Sequence, residues 1–322
     1  MGYGAGTSPI GLVHRGGGAL APENTLAAFA SSVGLGYRHL ESDVRLTADG
    51  RLVLFHDATL DRVTDHRGPV SARSLAELCR IQVAGPAQQP GTTLPNDRIC
   101  ALEEALAAFP DACFSLDLKD PRAIDPLTRV LRRPGVAERV CVAGAWDRAL
   151  ARVRAEAPGV STALGWRAMS GLIGCARLGL RPPRALATGE FVHVPLVLGA
   201  FGVSGAAVVR AAHALGLRVV TWTVDAPEVI ERLLDVGVDA VITDRPDLLR
   251  EVLLRRGAWR PMTGPQPAAA GRLPAAHEQA APGARAAWDR RTGSLGPAHG
   301  QSGTGMMGPD HPRDEKDAPA HD

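Results

Sequence analysis

Glu41 and Asp43 stand two apart in the run His39-Leu40-Glu41-Ser42-Asp43-Val44-Arg45. On a strand, residues two apart leave the same face. Two carboxylates converging in one place repel unless a cation lies between them. A hard divalent ion such as Mg2+ or Ca2+ takes such oxygen ligands, and a neighbouring Arg or Lys is the alternative partner. Cys113-Phe114-Ser115-Leu116-Asp117-Leu118-Lys119 repeats the pattern, with Asp117 and Lys119 on one face. An acid and a lysine there suit a third metal ligand plus an anion contact, or a structural ion pair. His14-Arg15 and His56-Asp57 each close an apolar run. A pair of histidines can take up and release protons near neutral pH. The Arg15 guanidinium is a fork matched to phosphate oxygens. Acids with a cation, two histidines, Arg and Lys together suggest phosphate-ester chemistry. Trp222, late in Thr221-Trp222-Thr223-Val224, is either an apolar wall of such a site or a core residue.

These residues need strands that end at one mouth. Strands are expected at Ile10–His14, His39–Arg45, Leu52–His56, Cys113–Lys119, Val140–Ala143, Ser161–Leu164, Ala185–Thr188 or Phe191–Val194, Val219–Val224 and Ala240–Thr243. Helical patterning covers Asn24–Leu35, Ala101–Phe109, Ala123–Arg132, Trp146–Glu156, Met169–Leu178, Ser204–Leu215, Pro227–Val236 and Pro246–Arg255. Pro227 and Pro246 suit a first helical turn. Gly216 and Gly237 are stop signals, and Asp225 and Asp244 are candidate N-caps. Regular βα alternation implies a parallel sheet covered by helices. In a closed barrel the outward face packs on helices, so Glu41 and Asp43 must point inward, toward the C-terminal mouth. Nine strands are one too many for eight. Only Leu46–Arg51 separates the second from the third, and Asp49-Gly50 is a tight-turn signal, so this pair is a hairpin or a barrel strand with a short extra strand. The polar stretch Ala58–Arg98 reads as an insertion. A doubly wound sheet is the runner-up, but Gly16-Gly17-Gly18 lacks G-x-G-x-x-G spacing and no G-x-x-x-x-G-K-[ST] loop occurs.

The chain has 322 residues, 45% of them hydrophobic and 22% charged, with a net charge of +2. Those values exclude fibrous and wholly disordered classes and give no basic excess for nucleic acid. No apolar run is long enough for a membrane span. The absence of a basic-then-apolar leader gives the expectation of a cytoplasmic protein. Cys79, Cys100, Cys113, Cys141 and Cys175 are scattered and read as reduced thiols. Residues 257–322 contain ten Gly, nine Pro and no Val, Ile, Phe, Tyr or Cys. Such a stretch buries too little apolar surface to offset its ordering entropy and is expected to be a disordered tail. The remaining residues 1–256 match the roughly 250 of a (β/α)8 barrel. Serines such as Ser170 and Ser204 lack a G-x-S-x-G elbow, and no H-E-x-x-H motif appears. His66, His193 and His213 have no comparable context and receive no role.

His14-Arg15-Gly16, Pro22-Glu23-Asn24-Thr25, Glu41-Ser42-Asp43-Val44, Thr47-x-Asp49-Gly50 and His56-Asp57 with Leu60-Asp61-Arg62 follow in order. Leu102–Leu106, Leu116–Lys119, Trp222–Asp225 and Thr243–Pro246 continue the series. Over about residues 10–250 this resembles the glycerophosphodiester phosphodiesterases. The resemblance implies a TIM barrel with a small insertion after the His56 strand, and hydrolysis of glycerophosphodiesters to glycerol 3-phosphate and an alcohol. It implies a divalent cation, Mg2+ or Ca2+, held by Glu41, Asp43 and Asp117. It implies His14 and His56 as the acid/base pair, with Arg15 and Lys119 on the phosphate. Glu23 and Asn24 support the site, Glu23 as a further ligand and Asn24 as an orienter or helix cap. At position 117 the family commonly has Glu, and Asp reaches about 1.3 to 1.5 Å less. The expected partner is a small-molecule substrate. A lysophospholipase D-like enzyme and a catalytically silent barrel binding a phosphorylated ligand are the alternatives.

Overall fold

The computed structural model describes residues 2–4, 9–86, 97–196 and 203–262. Among the described residues short β-rich runs form nine strands: β1 (Ile10–Val13), β2 (His39–Leu46), β3 (Leu52–Leu54), β4 (Cys113–Leu118), β5 (Val140–Gly144), β6 (Ser161–Thr162), β7 (Phe191–Pro195), β8 (Arg218–Trp222) and β9 (Ala240–Thr243). Eight of them are parallel, in the order β6-β5-β4-β2-β1-β9-β8-β7, and a parallel bridge from Ala163 to Phe191 brings the ends of the sheet together. The result is a TIM barrel. The ninth strand, β3, folds back antiparallel on β2, with Val44 opposite Leu54 and Leu46 opposite Leu52. The Asp49-Gly50 turn makes this reversal, with Gly50 at φ +71.

The apolar spacing of the helices explains the outer layer. In α4 (Ile124–Leu131), Ile124, Leu127, Thr128 and Leu131 are buried, and in α9 (Pro246–Arg255), Leu249, Val252 and Leu253. These are the i, i+3, i+4, i+7 positions of one helix face. Together with α1 (Leu26–Gly34), α3 (Leu102–Ala108), α5 (Asp147–Glu156), α6 (Trp166–Arg177), α7 (Val203–His213) and α8 (Pro227–Asp235), they cover the outward residues of the strands. Leu40, Val44, Phe114, Leu116 and Leu118 belong to this layer. The alternate residues face the barrel interior, where Leu12, Cys141, Ala143, Ala163, Phe191, Val220, Ala240 and Ile242 form a smaller core.

The insertion has a third core of its own, built on Val53, Phe55, Leu60, Val70, Leu78, Ile81, Val83 and Ile99. It contains the short helix α2 (Leu75–Leu78), opened by a capping box between Ser74 and Glu77. Residues 87–96 of the expected insertion lie outside the described residues. So does 263–322 of the expected tail. Residues 257–262, placed in that tail by composition, pack on the barrel instead. Trp259 stacks edge-on against Tyr37 at 4.8 Å, and the Met262 N–H donates to Gly36 O. One aromatic ring has enough apolar area to hold a Gly- and Pro-rich stretch that composition alone writes off.

Three local expectations need correction. Ala185–Thr188 is not a strand: Arg184–Leu186 is a single 3-10 turn, and Phe191–Pro195 is the barrel strand. Helix α6 begins at Trp166, three residues before the periodic pattern suggested. Asp225 and Asp244 do not cap helices. The caps are Ala226 and Arg245, neither with a side-chain bond, and both aspartates are drawn into the site below.

Candidate active site

The C-terminal ends of β1, β2 and β4 form one wall of a cleft of about 280 Å3. Strand alternation does what the sequence predicts. Glu41 and Asp43 point inward and are almost wholly enclosed, with side chains 8% and 1% exposed. On β4, Asp117 lies in register with Asp43, and Ser115 with Glu41. β1 stops at Val13, so His14 and Arg15 sit on a 3-10 turn just beyond it. Arg15 takes a left-handed φ of +50, and Asn24 one of +59. They are the two non-glycine residues with positive φ among the described residues, and such strain concentrates at functional sites. It is held by hydrogen bonds: the Arg15 N–H donates to Glu41 Oε2 at 3.0 Å, and the Asn24 N–H to Arg15 O at 2.8 Å. The next residue must be glycine. Gly16 has φ +82, and a Cβ there would stand 2.7 Å from Ala28 Cβ.

Each histidine of the polar wall has an aspartate behind it. His14 Nδ1 is 2.8 Å from Asp244 Oδ1, and His56 Nδ1 is 2.7 Å from Asp57 Oδ1. Asp244 is itself placed by Asp225, whose Oδ1 accepts from the Asp244 N–H and the Thr243 hydroxyl. In sequence Asp225 and Asp244 are candidate caps, and Asp57 has no role. The signal for Asp57 was its adjacency to His56; Asp244 gave none without the barrel closing β9 against β1. Burial pulls the His14 imidazole down, but its bond to Asp244 and the Glu41 charge prevail and raise it.

The cationic groups lie between the acids. Arg15 Nε is 3.2 Å from Asp43 Oδ2, while Lys119 Nζ stands 3.1 Å from Asp43 Oδ1 and 2.6 Å from Asp117 Oδ2. Burial opposes ionisation of Asp43, but Lys119, Arg15 and His56 overcome it and hold Asp43 below the ordinary carboxylate range. Asp117 is pushed up by burial. Glu41 is pushed up to about 8, by burial and then by the charge of Asp43. Asn24 is not a helix cap; Thr25 fills that place, accepting from the Ala28 N–H. The Asn24 amide instead donates to Asp43 Oδ2 at 3.0 Å and accepts from the Ser42 hydroxyl at 2.6 Å, fixing the carboxylate. Glu23 lies at the rim, where both its oxygens meet guanidinium groups: Oε1 takes Arg15 and Arg62, Oε2 takes Arg62.

The opposite wall comes from the ends of β5 to β8. Trp222 is there as expected, with Ala143, Leu164, Trp146, Trp166 and Met169. His193 on β7, given no role from sequence, also lines this wall. Its Nε2 is buried without a hydrogen-bond partner among the described residues, and burial lowers the imidazole to about 4. One cleft thus sets two histidines, an arginine, a lysine and three acids against an apolar face.

The chain is similar to known proteins of one family. The pattern of the Glycerophosphoryl diester phosphodiesterase family matches residues 14–248. The chain is 35% identical over 254 residues to the probable glycerophosphodiester phosphodiesterase 2 of Mycobacterium tuberculosis, covering 78% of this chain and 92% of that protein. It is 30% identical to the glycerophosphodiester phosphodiesterase of Caldanaerobacter subterraneus, over 76% and 98% of the two. Among solved structures, a putative glycerophosphoryl diester phosphodiesterase from Silicibacter pomeroyi aligns with a TM-score of 0.65 at 25% identity, covering 79% of this chain and 96% of that one. A phosphodiesterase of Oleispira antarctica, solved with the product sn-glycerol-3-phosphate, shares the fold at a TM-score of 0.61 and 24% identity, over 76% and 97% of the two chains. The chain belongs to the glycerophosphoryl diester phosphodiesterase family and is an enzyme of that class.

Proposed function

We propose that the chain hydrolyses glycerophosphodiesters to glycerol 3-phosphate and an alcohol, with His14 and His56 moving the protons and a divalent cation assisting. The observation that carries this reading is the pairing of both histidines with aspartates, 2.8 and 2.7 Å away, around one cluster of Arg15, Lys119 and three acids. Each aspartate leaves the imidazole Nε2 for the substrate, and at His14 the bond to Asp244 favours the imidazolium that forms on taking a proton.

Arg15 and Lys119 hold the non-bridging phosphoryl oxygens and offset the charge that builds there. One imidazole takes the proton of the attacking oxygen as the new P–O bond forms. The other gives a proton to the departing alkoxide as the old P–O bond breaks. With water as the attacker, one diester plus one water becomes glycerol 3-phosphate plus one alcohol. With the substrate's 2-hydroxyl as the attacker, a cyclic phosphate forms first and water opens it in a second step with the two roles exchanged.

The donor set suits a hard divalent cation. Glu41, Asp43 and Asp117 supply only oxygen from neighbouring strands, and Glu41 is held at about 8 by burial and the Asp43 charge, an arrangement that an added cation relieves. Among the described residues no three His, Cys, Asp or Glu side chains already converge as a cage. The Lys119 ammonium lies between Asp43 and Asp117, so these side chains must turn toward the ion. Bound there, the cation would polarise the phosphoryl group. Mg2+ and Ca2+ both fit this chemistry.

The test is glycerol 3-phosphate release from glycerophosphocholine, with EDTA and then with Mg2+, Ca2+ or Mn2+ restored. Product that vanishes with EDTA and returns with one ion supports the reading. No product from any head group, with any ion, overturns it in favour of a silent ligand-binding barrel. The lysophospholipase D-like reading gains one specific observation: Trp146 and Trp166 stand 39% and 53% exposed at the apolar edge of the cleft. Faster turnover of lysophosphatidylcholine than of glycerophosphocholine would select it.

A further inference from the structure

The insertion sends one side chain into the polar wall. Arg62 follows Leu60, which is fully buried in the insertion's own core. The segment is tied down locally: the Leu60 N–H donates to Gly68 O at 3.0 Å, and the Thr64 hydroxyl to Leu60 O at 2.8 Å. From this rigid base the Arg62 guanidinium uses three nitrogens on two carboxylates. Nε meets Asp57 Oδ2 at 2.5 Å, while the two terminal nitrogens meet Glu23 Oε2 at 2.9 Å and Oε1 at 2.6 Å. Asp57 holds His56, and Glu23 holds Arg15 through a 3.0 Å bond. One guanidinium therefore closes a chain from His56 through Asp57, Arg62 and Glu23 to Arg15.

We propose that Arg62 is a positioning residue that couples the His56 proton-transfer pair to the Arg15 phosphate contact, and that delivering it is a function of the insertion. This rests on the roles given above to His56 and Arg15. The coupling is geometric rather than energetic. Arg62 is 47% exposed, and exposed ion pairs add little stability. A planar fork bound on both edges fixes direction, which a point charge does not. Without it, Asp57 and Glu23 keep His56 and Arg15 but lose the fork that fixes their direction, and small displacements of reacting groups cost rate out of proportion to their size.

The experiment uses the full chain with Mg2+ and glycerophosphocholine. For Arg62→Ala, kcat falls about tenfold through the Asp57–His56 arm, and KM rises about threefold through the Glu23–Arg15 arm. Asp57→Asn lowers kcat and leaves KM within about twofold. Because Arg62 acts on catalysis through Asp57, kcat of the double variant Arg62→Ala/Asp57→Asn falls no further than about twofold below Asp57→Asn alone. Arg62→Lys restores the charge without the fork, recovering KM but not kcat. A purely structural role would lower the active fraction and the melting temperature without this division. The proposal is overturned if Arg62→Ala stays within twofold of wild type in both constants, if the double variant's losses multiply, or if Arg62→Lys restores both. A readout without turnover is the His56 Nδ1 proton in 15N–1H spectra. It is slow to exchange in wild type and fast in Arg62→Ala; equal protection in both overturns the proposal. A wild type that exchanges as expected yet releases no glycerol 3-phosphate counts against the proposed activity and not against Arg62.

Discussion

The two walls of the cleft treat a histidine in opposite ways. On the wall formed by β1, β2 and β4, His14 is largely enclosed, yet Asp244 and Glu41 raise it above its ordinary value. Across the cleft on β7, His193 has no charged partner among the described residues, and burial takes it down to about 4. Burial lowers both imidazoles; what differs is whether an acid stands within reach. The lesson extends to whole walls. The polar wall sets Asp43 and Asp117 in register on neighbouring strands with Arg15 and Lys119 against them, where they can answer a charged phosphate. The apolar wall offers Trp146, Leu164, Trp166 and Met169, which can sort substrates by shape but cannot move a proton.

Removing a proposed proton carrier should separate the two walls most strongly. His56→Ala or His14→Ala should lower kcat by roughly a thousandfold, within the range for a lost general acid or base. Loss of less than tenfold, measured as glycerol 3-phosphate release, would remove that residue from the chemistry. The opposite wall is probed by acid. In the unfolded chain His193 takes up a proton near its ordinary 6.5, and in the folded protein only near 4. Between those values the unfolded chain binds more protons, so stability falls as pH drops through that window. The loss reaches about 3 kcal/mol by pH 4. Urea unfolding of wild type and His193→Leu between pH 4 and 7 should show a flatter slope for the variant; parallel slopes would mean His193 is protonated in the fold. Asp244→Asn keeps the shape behind His14 but removes the charge that raises it. It should cost about ten- to a hundredfold in kcat, as for other groups that orient a working imidazole. An unchanged rate would reduce the pair to a structural bond. The smallest effect is expected at Trp166→Ala: KM for lysophosphatidylcholine rises a few fold, as for the loss of one partly exposed apolar contact. Turnover of glycerophosphoglycerol stays within about twofold. An equal loss on both substrates would show that the apolar wall supports the polar one rather than the substrate.

Much of the site is legible in local sequence because strand alternation is a local rule. Glu41 with Asp43, and Asp117 with Lys119, share faces by spacing of two, and both pairs face one cleft. The βα count and the Asp49-Gly50 reversal give the barrel and its ninth strand, since turn chemistry and periodicity act over a few residues. Roles set by distant partners are not legible in this way. Asp244 looks like a helix cap until β9 closes against β1 and brings it to His14, 230 residues away. His193 looks inert until β7 turns it into the cleft, and Arg62 looks like surface charge until the insertion folds back over Glu23. Trp259 looks like tail until it meets Tyr37. Local propensity determined the elements and the faces of their side chains. Barrel closure alone decided which charges stand together, because Coulomb and desolvation effects depend on distance in space and not on separation along the chain.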